Sequence, residues 1–313
     1  MATHEIHNFI DGSFARDGRR DTFVNRSPVH GAPVSIVHSA TKEDVGRAVQ
    51  AAKRALQGPW GRTTMDERAQ LLYAIAEEMD RRFEDFLAAE VADTGKPHVL
   101  ASRVDIPRGA ANFKAFADII RVYSSEFFQT QRPGVDAINY SVRVPKGVVG
   151  VICPWNLPLL LMTWKVAPAL ASGNTVVVKP SEETPSTANL LAEVLRDVGV
   201  PDGVYNVVHG FGPEATGQWL CEHPDVDAIT FTGETATGAA IMKSAANGIR
   251  DVSFELGGKN AGLVFADCDL DAALEGTVRS VFENCGQICL QTERLYVERP
   301  IFEEFVARMV RGA

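Results

Sequence analysis

From Gly147 onward the chain repeats one figure: a short, continuously apolar run, then a longer segment of helical periodicity. The runs are GVVGVIC (147–153), NTVVVKP (174–180), VYNVVHG (204–210), VDAITFTG (226–233) and DVSFELGG (251–258), and between them fall helical patterns at 158–171, 186–198, 213–222 and 235–247. Runs rich in Val and Ile without polar alternation suit strands buried on both faces. Their alternation with helices therefore predicts an α/β fold, a parallel sheet covered by helices on both sides. In open sheets of that kind ligands lie beyond the carboxyl ends of the strands, so the residues that close each run are where chemistry is expected.

The 146 residues before this pattern read differently. Short strands and turns are expected at Asn8–Phe14, Phe23–Val24 and Val34–Val37, punctuated by Gly12, Gly18, Pro28 and Gly31. Thr41 is placed to cap a helix with Val45, Ala48, Val49, Ala52 and Leu56 on one face, stopped by Gly58-Pro59. A second helix is expected from about Asp66 to Thr94, and a third over 102–128, with Arg103, Arg108 and Arg121 as solvated surface. Thr130–Val135, with Pro133-Gly134, reads as a linker, and Ile138, Tyr140, Val142 and Val144 alternate with polar residues as in a half-buried strand.

A chain of 313 residues that is 45% hydrophobic has enough apolar material for about two domains. Its formal charge of −9 and lack of a Lys/Arg-rich run argue against nucleic-acid binding. The N-terminus lacks a basic segment followed by a long apolar core, so no signal peptide is indicated and the cytoplasm is the expected compartment. The most apolar window, 147–164, holds Pro154, Asn156 and Pro158, which suits a buried strand and turn over a membrane span. Cysteines 153, 221, 268, 285 and 289 form no CxxC pair, and the seven histidines are scattered, so no metal site is expected.

Chemistry concentrates in Asp251–Arg294. Cys289 ends Cys-Gly-Gln-Ile-Cys, after an irregular turn marked by Asn284 and Gly286. A thiol at such a turn meets exposed backbone N–H groups that lower its pKa and stabilise an oxyanion beside it, although a free cysteine is more often an inert small hydrophobe. Glu255 closes a strand-like run ahead of Gly257-Gly258. It suits a general base if burial raises its pKa, and equally a salt-bridged strand end. HGFGPEATG offers Gly210, Gly212 and Gly217 without a strict GxGxxG spacing, and Thr232-Gly233 precedes a helix whose free N–H groups suit a phosphate.

FELGGK followed by GQIC resembles the aldehyde dehydrogenase superfamily, and PWNLPLLLMTWK, KPSEETP, GFGP and FTGE resemble its other motifs in the same order. The resemblance implies a Rossmann-like NAD-binding domain at 146–257, preceded by its helical part at 1–128 and an oligomerisation hairpin at 129–145. Residues 258–313 are then the opening of a catalytic domain, which in the superfamily continues well beyond the position of Ala313. A chain ending there is expected to bind NAD poorly and to turn over inefficiently.

By the same resemblance Cys289 is the nucleophile and Cys285 is not, Asn156 joins the Cys289 N–H in holding the oxyanion, Glu255 activates water, and Lys165 relays protons. Lys179, Ser181 and Glu182 are implied to hold the adenine ribose, where the Glu182 carboxylate favours NAD over NADP. Gly212, Phe231, Thr232, Gly233 and Glu234 are implied to lie by the pyrophosphate, and Ile152, Pro154, Trp155 and Leu256 to border the rest of the cofactor. Glu234 departs from the serine common there. Its carboxylate is expected to turn away from phosphate or to cap the following helix. Arg108 is the candidate for a substrate carboxylate.

FTGETATG, SFELGGKNAGLVFADCD and ERLYVERPIFEEF are especially similar to the superfamily members that oxidise 2-hydroxymuconic semialdehyde in aromatic meta-cleavage, with the 2-aminomuconic group next. A catalytically silent homologue acting in assembly, or a thiol esterase independent of NAD, are the alternatives. The expected assembly is a homodimer or homotetramer, without membrane or nucleic acid.

Overall fold

The structure, a computed structural model, describes residues 4–16 and 20–312. The turn expected at Gly18 and the chain end at Ala313 lie outside them. Among the described residues the largest sheet has seven strands in the order Asp251–Leu256, Ala228–Gly233, Val148–Ile152, Thr175–Lys179, Tyr205–Val207, Phe9–Ile10, Ser13–Phe14. The first five are parallel, as the apolar runs predict. The N-terminal hairpin extends this sheet antiparallel, with Phe9 opposite Val207. That pairing, 198 residues apart, had no local signal.

Alternate side chains leave each strand for opposite faces. Val149, Val151, Val176 and Val178 enter one apolar cluster with the helices Met65–Arg81, Ile106–Val122, Pro158–Ala171 and Ser186–Asp197. Val148, Ile152, Val177 and Ile229 enter another with Lys42–Gln57, Thr216–Glu222 and Thr235–Ala246. A small third cluster, around Val264, Leu274 and Phe305, joins the two-stranded sheet Asn260–Val264/Thr292–Val297 to the helices Leu270–Phe282 and Phe302–Gly312.

The helix starts follow from capping. Thr41 and Asp44 form a reciprocal box at the head of Lys42–Gln57, and Thr64 and Glu67 do the same for Met65–Arg81. Four expectations need correction. The second helix is broken at Arg82 (φ −97°, ψ 24°) into Met65–Arg81 and Phe83–Thr94. The third ends at Val122, because Tyr123 turns extended and Phe127–Arg132 pairs with Val135–Tyr140 as a hairpin. Pro133-Gly134 is the turn of that hairpin, with Gly134 at φ 80°, and the hairpin begins before residue 129. Nor is its alternation half-buried: Ile138, Tyr140, Val142 and Val144 are all about 70% exposed or more, and the last two lie beyond the strand. No helix of the described residues is long and apolar enough to cross a membrane.

Candidate active site

The sheet reverses its order beside Val148–Ile152: later strands run outward on one side through Thr175–Lys179 and Tyr205–Val207, then return to the other side as Ala228–Gly233. Such a reversal opens a crevice at the carboxyl ends. It is flanked here by Cys153-Pro154-Trp155-Asn156 and by Thr232-Gly233-Glu234. Pro158, already fixed at helical φ, starts the helix that follows Asn156. Cys153 faces inward, and burial pushes its thiol up to about 12 against the pull of Lys165 and Lys179, so it is an inert core thiol.

Asn156 joins this crevice to the Cys289 loop. Its Nδ2 donates to the Gln287 carbonyl (2.7 Å), and its own carbonyl accepts from Asn284 Nδ2 and from Lys96 Nζ, both at 3.1 Å. After Leu270–Phe282 the chain reverses through three consecutive left-handed residues, Asn284 (φ 52°), Cys285 (φ 58°) and Gly286 (φ 74°). For the two that are not glycine this conformation costs on the order of 1–2 kcal/mol each, and side chains hold it. Gln291 donates to the Glu283 carbonyl and accepts from the Ile288 N–H (3.0 Å), while Asn260 Nδ2 donates to the carbonyls of Cys289 (2.8 Å) and Gln291 (3.1 Å). Cys289 emerges half-buried and Cys285 exposed. Among the described residues neither the Cys289 thiol nor its N–H has a hydrogen-bonding partner, and one Asn156 amide hydrogen is likewise unused.

Glu255 is exposed, opposite Thr232 in the strand register. Its charge reaches Lys165, on the helix Pro158–Ala171. Burial lowers the pKa of that ammonium, with Cys153 and Glu255 opposing the shift. A lysine so depressed gives up its proton more readily than a solvated one. Arg108 is exposed in the first turn of Ile106–Val122, and Asp105 beside it feels both Arg108 and Glu283 of the Cys289 loop.

The remaining sequence candidates lie along the crevice. Lys179 is buried and pairs with Glu182 at 2.7 Å; burial opposes the Glu182 charge, but Lys179 outweighs it and leaves the carboxyl below its usual pKa. Ser181 is buried beside them. Gly217 packs closely on the preceding turn, where a Cβ would lie 3.0 Å from the Gly212 Cα. Thr232 is buried and its hydroxyl has no partner. Glu234 is exposed and makes no side-chain cap, contrary to one expectation, so the first N–H groups of Thr235–Ala246 stay open. Phe231 and Ile152 have their side chains in the core, Phe231 against Phe254. Leu256 is half-buried over Gly238, Pro154 is half-buried and Trp155 is 47% exposed.

Sequence reasoning missed Glu90, Lys96, Asp105, Asn260 and Gln287. Glu90 had a signal, since it continues the apolar stripe of Phe86 and Leu87 at helical spacing. The fold also gathers Glu5, His7 and His38, which sequence spacing had left scattered; the rings stack at 4.2 Å and both turn Nε2 to one Glu5 oxygen. A single carboxylate thus serves both imidazoles.

A parallel α/β domain with a crevice at the carboxyl ends of its strands is thus joined, through Asn156, to a clamped loop that carries a thiol. Residues 14–313 match the Aldehyde dehydrogenase family, and the chain belongs to it. It is 63% identical over 310 residues to a 2-hydroxymuconic semialdehyde dehydrogenase of Pseudomonas sp. (strain CF600), covering 99% of this chain and 64% of that protein. To a 2-aminomuconic 6-semialdehyde dehydrogenase of Pseudomonas sp. it is 56% identical over 302 residues, 96% of this chain and 61% of that one. An aldehyde dehydrogenase from Bacillus cereus, solved as its NAD+ complex, superposes with a TM-score of 0.93 at 36% identity, over 99% of this chain and 62% of that one. The chain thus spans somewhat under two thirds of the length of each.

Proposed function

We propose that these residues form the nucleophile, oxyanion donors and dinucleotide surface of an NAD-dependent aldehyde dehydrogenase that acts on 2-hydroxymuconic semialdehyde. The observation that supports it best is the hydrogen-bonded joint between Asn156 and the Cys289 loop, which leaves one Asn156 amide hydrogen and the Cys289 N–H without partners. The residues present fit the cofactor. Thr232 offers a buried hydroxyl without a partner, Thr235–Ala246 offers uncapped N–H groups to phosphate, and Lys179 with Glu182 offers donors and acceptors to ribose hydroxyls. When bound, NAD supplies a two-electron acceptor for the aldehyde C–H bond.

The chain's own residues do the rest. The Cys289 thiolate adds to the carbonyl carbon, and the new oxyanion accepts from the Cys289 N–H and the free Asn156 amide hydrogen. Once the carbon has been oxidised to the thioester, Glu255 takes a proton from water as that water attacks. The C–S bond breaks to return the thiolate, and Lys165, depressed by burial, passes the proton onward. Arg108 meets the carboxylate of the semialdehyde acid. The exposed hairpin Phe127–Arg132/Val135–Tyr140 is the surface for homo-oligomerisation, and a reducing cytoplasm suits an enzyme that depends on a free thiol. The similarity to the 2-aminomuconic enzyme makes the amino analogue the second substrate to try.

The full-length gene product, given NAD and 2-hydroxymuconic semialdehyde, is expected to form reduced cofactor continuously. Its Glu255→Gln variant is expected to stop after a burst of about one equivalent, leaving a thioester visible by intact mass. Steady turnover in that variant without an adduct would remove Glu255 from the reading.

A further inference from the structure

Three charged residues lie completely inside the molecule beneath Asn156. Lys96 is 4% exposed, Glu90 0% and Asp105 1%. They come from three separate pieces of backbone: Glu90 from the helix Phe83–Thr94, Lys96 from just after its end, and Asp105 from the end of a π-helical turn, Ala101–Asp105. Gly95, at φ 66°, turns the chain so that Lys96 folds back across the helix end, and a Cβ there would strike Val29 and Pro28.

An ammonium has three N–H donors, and this one meets three acceptors. Lys96 Nζ lies 2.6 Å from Asp105 Oδ2, 3.2 Å from Glu90 Oε1 and 3.1 Å from the Asn156 carbonyl oxygen. The second Glu90 oxygen accepts from the Leu159 N–H (3.4 Å), in the first turn of the helix that carries Lys165 and has no side-chain cap from Leu157. Burial drives Glu90 up to about 7 and raises Asp105, and Lys96 works against both shifts. A buried charged cluster of this kind is an inefficient way to stabilise a fold. Its placement calls for another reason: one of its contacts holds the Asn156 carbonyl and another the Leu159 N–H three residues on.

We infer that Lys96, braced between Glu90 and Asp105, is a positioning residue that holds the Asn156 main chain so that its side-chain amide faces the oxyanion formed at Cys289. Lys96 does not touch the reacting atoms. It grips the Asn156 carbonyl from the helical layer while Asn284 grips the same oxygen from the Cys289 loop, so the amide is aimed from both sides. An ammonium suits this better than a neutral donor, because it alone satisfies two buried carboxylates and a carbonyl together. The inference rests on the proposed role of Asn156.

The test uses the full-length gene product and an activated aryl ester, whose hydrolysis needs the thiol and the oxyanion donors without cofactor. Lys96→Met is expected to lower kcat for the ester by about 10- to 100-fold, a part of the ~10²–10³ that one oxyanion donor supplies. KM and the rate of Cys289 alkylation by iodoacetamide are expected to stay within about twofold. In the Asn156→Ala background, adding Lys96→Met is expected to cost less than about threefold more, since the amide it aims has gone. Should Lys96→Met fail to fold, Asp105→Asn keeps the volume and is expected to lose about three- to tenfold in kcat with its alkylation rate unchanged. Unchanged kcat in the folded variants, or losses that multiply fully with Asn156→Ala, would overturn the positioning role alone. Full ester turnover in Asn156→Ala by itself would remove the oxyanion reading and this inference with it.

Discussion

Two sets of strands in this molecule are alike in length and direction and differ in almost everything around them. Val148–Ile152 and Thr175–Lys179 are buried at every residue, with apolar clusters on both faces. Asp251–Leu256, Asn260–Val264 and Thr292–Val297 are mostly exposed or half-covered, and the cluster behind the last two has only three buried apolar side chains, Val264, Leu274 and Phe305. Of the candidate cofactor residues, Ile152 and Lys179 close strands of the first set, while the candidate base Glu255 lies on the second and the candidate nucleophile Cys289 in the loop just before its last strand. In the packed set, position follows from close contact among aliphatic side chains. Around Cys289 it follows from side-chain amides, Asn156, Asn260, Asn284 and Gln291, hydrogen-bonded to main chain.

If this contrast is right, the reactive chemistry and the stability of the chain respond to different substitutions. The largest effect should come from Cys289→Ala, which is expected to lower both dehydrogenase and ester turnover by at least ~10³-fold, whereas Cys285→Ala stays within about twofold. Steady-state kinetics of the two variants would show it, and equal losses would reassign the nucleophile. Next, Leu191→Ala, fully buried in the packed half, should cost about 2–5 kcal/mol in urea unfolding, and Leu295→Ala, at the edge of the small cluster, less than about 1. Similar costs would mean that the two halves are packed alike.

A smaller effect separates charge from packing within the well-packed half. Asp44 is buried, which opposes its ionisation, but Arg20, the Thr41 N–H and Arg47 bring its pKa from 3.8 down to about 2. Because the folded-state value is the lower one, its contribution is present above about pH 4 and is lost as pH falls toward 2. Asp44→Asn should therefore cost about 2 kcal/mol near neutrality, with the gap to the parent closing below pH 4 in denaturant titrations. A gap independent of pH would make Asp44 a packing residue. The least of these effects is expected at Arg108→Ala, raising KM for a semialdehyde acid about tenfold, or ~1.4 kcal/mol, and leaving that of an uncharged aldehyde unchanged. A parallel rise for both would point to loss of packing.

What could be read from sequence follows the same division. The helix Pro158–Ala171 and the strands on either side of it stand where the periodicity puts them, because burial on both faces leaves a continuous apolar run and a covering helix leaves a clear stripe. The first strand of the hairpin was illegible to periodicity for the converse reason: Phe127 and Phe128 follow Ile119 and Ile120 closely enough to prolong a helical stripe, and only the partner strand decides otherwise. The break at Arg82 leaves the stripe intact on either side, so spacing does not report it. Of the candidate site, Cys289, Glu255 and Asn156 were visible through their motifs. The Lys96 cluster was not, since charged residues read as surface until distant backbone encloses them, and the clamp on Cys289 depends on Asn260 and Gln291, amides whose partners sequence does not name.

The joint at Asn156 also bears on the order of assembly. Its bonds to Gln287 and Asn284 close loops of 131 and 128 residues, against 60 for the bond from Lys96. Pairings so distant in sequence form slowly and are rewarded only after the intervening chain has been ordered. The five parallel strands and their helices, complete by Leu256, are all synthesised before Cys289. If the sheet packs while the polypeptide emerges, the Asn156 carbonyl is held by Lys96 before the thiol-bearing segment arrives, and that segment then docks onto a receptor already formed.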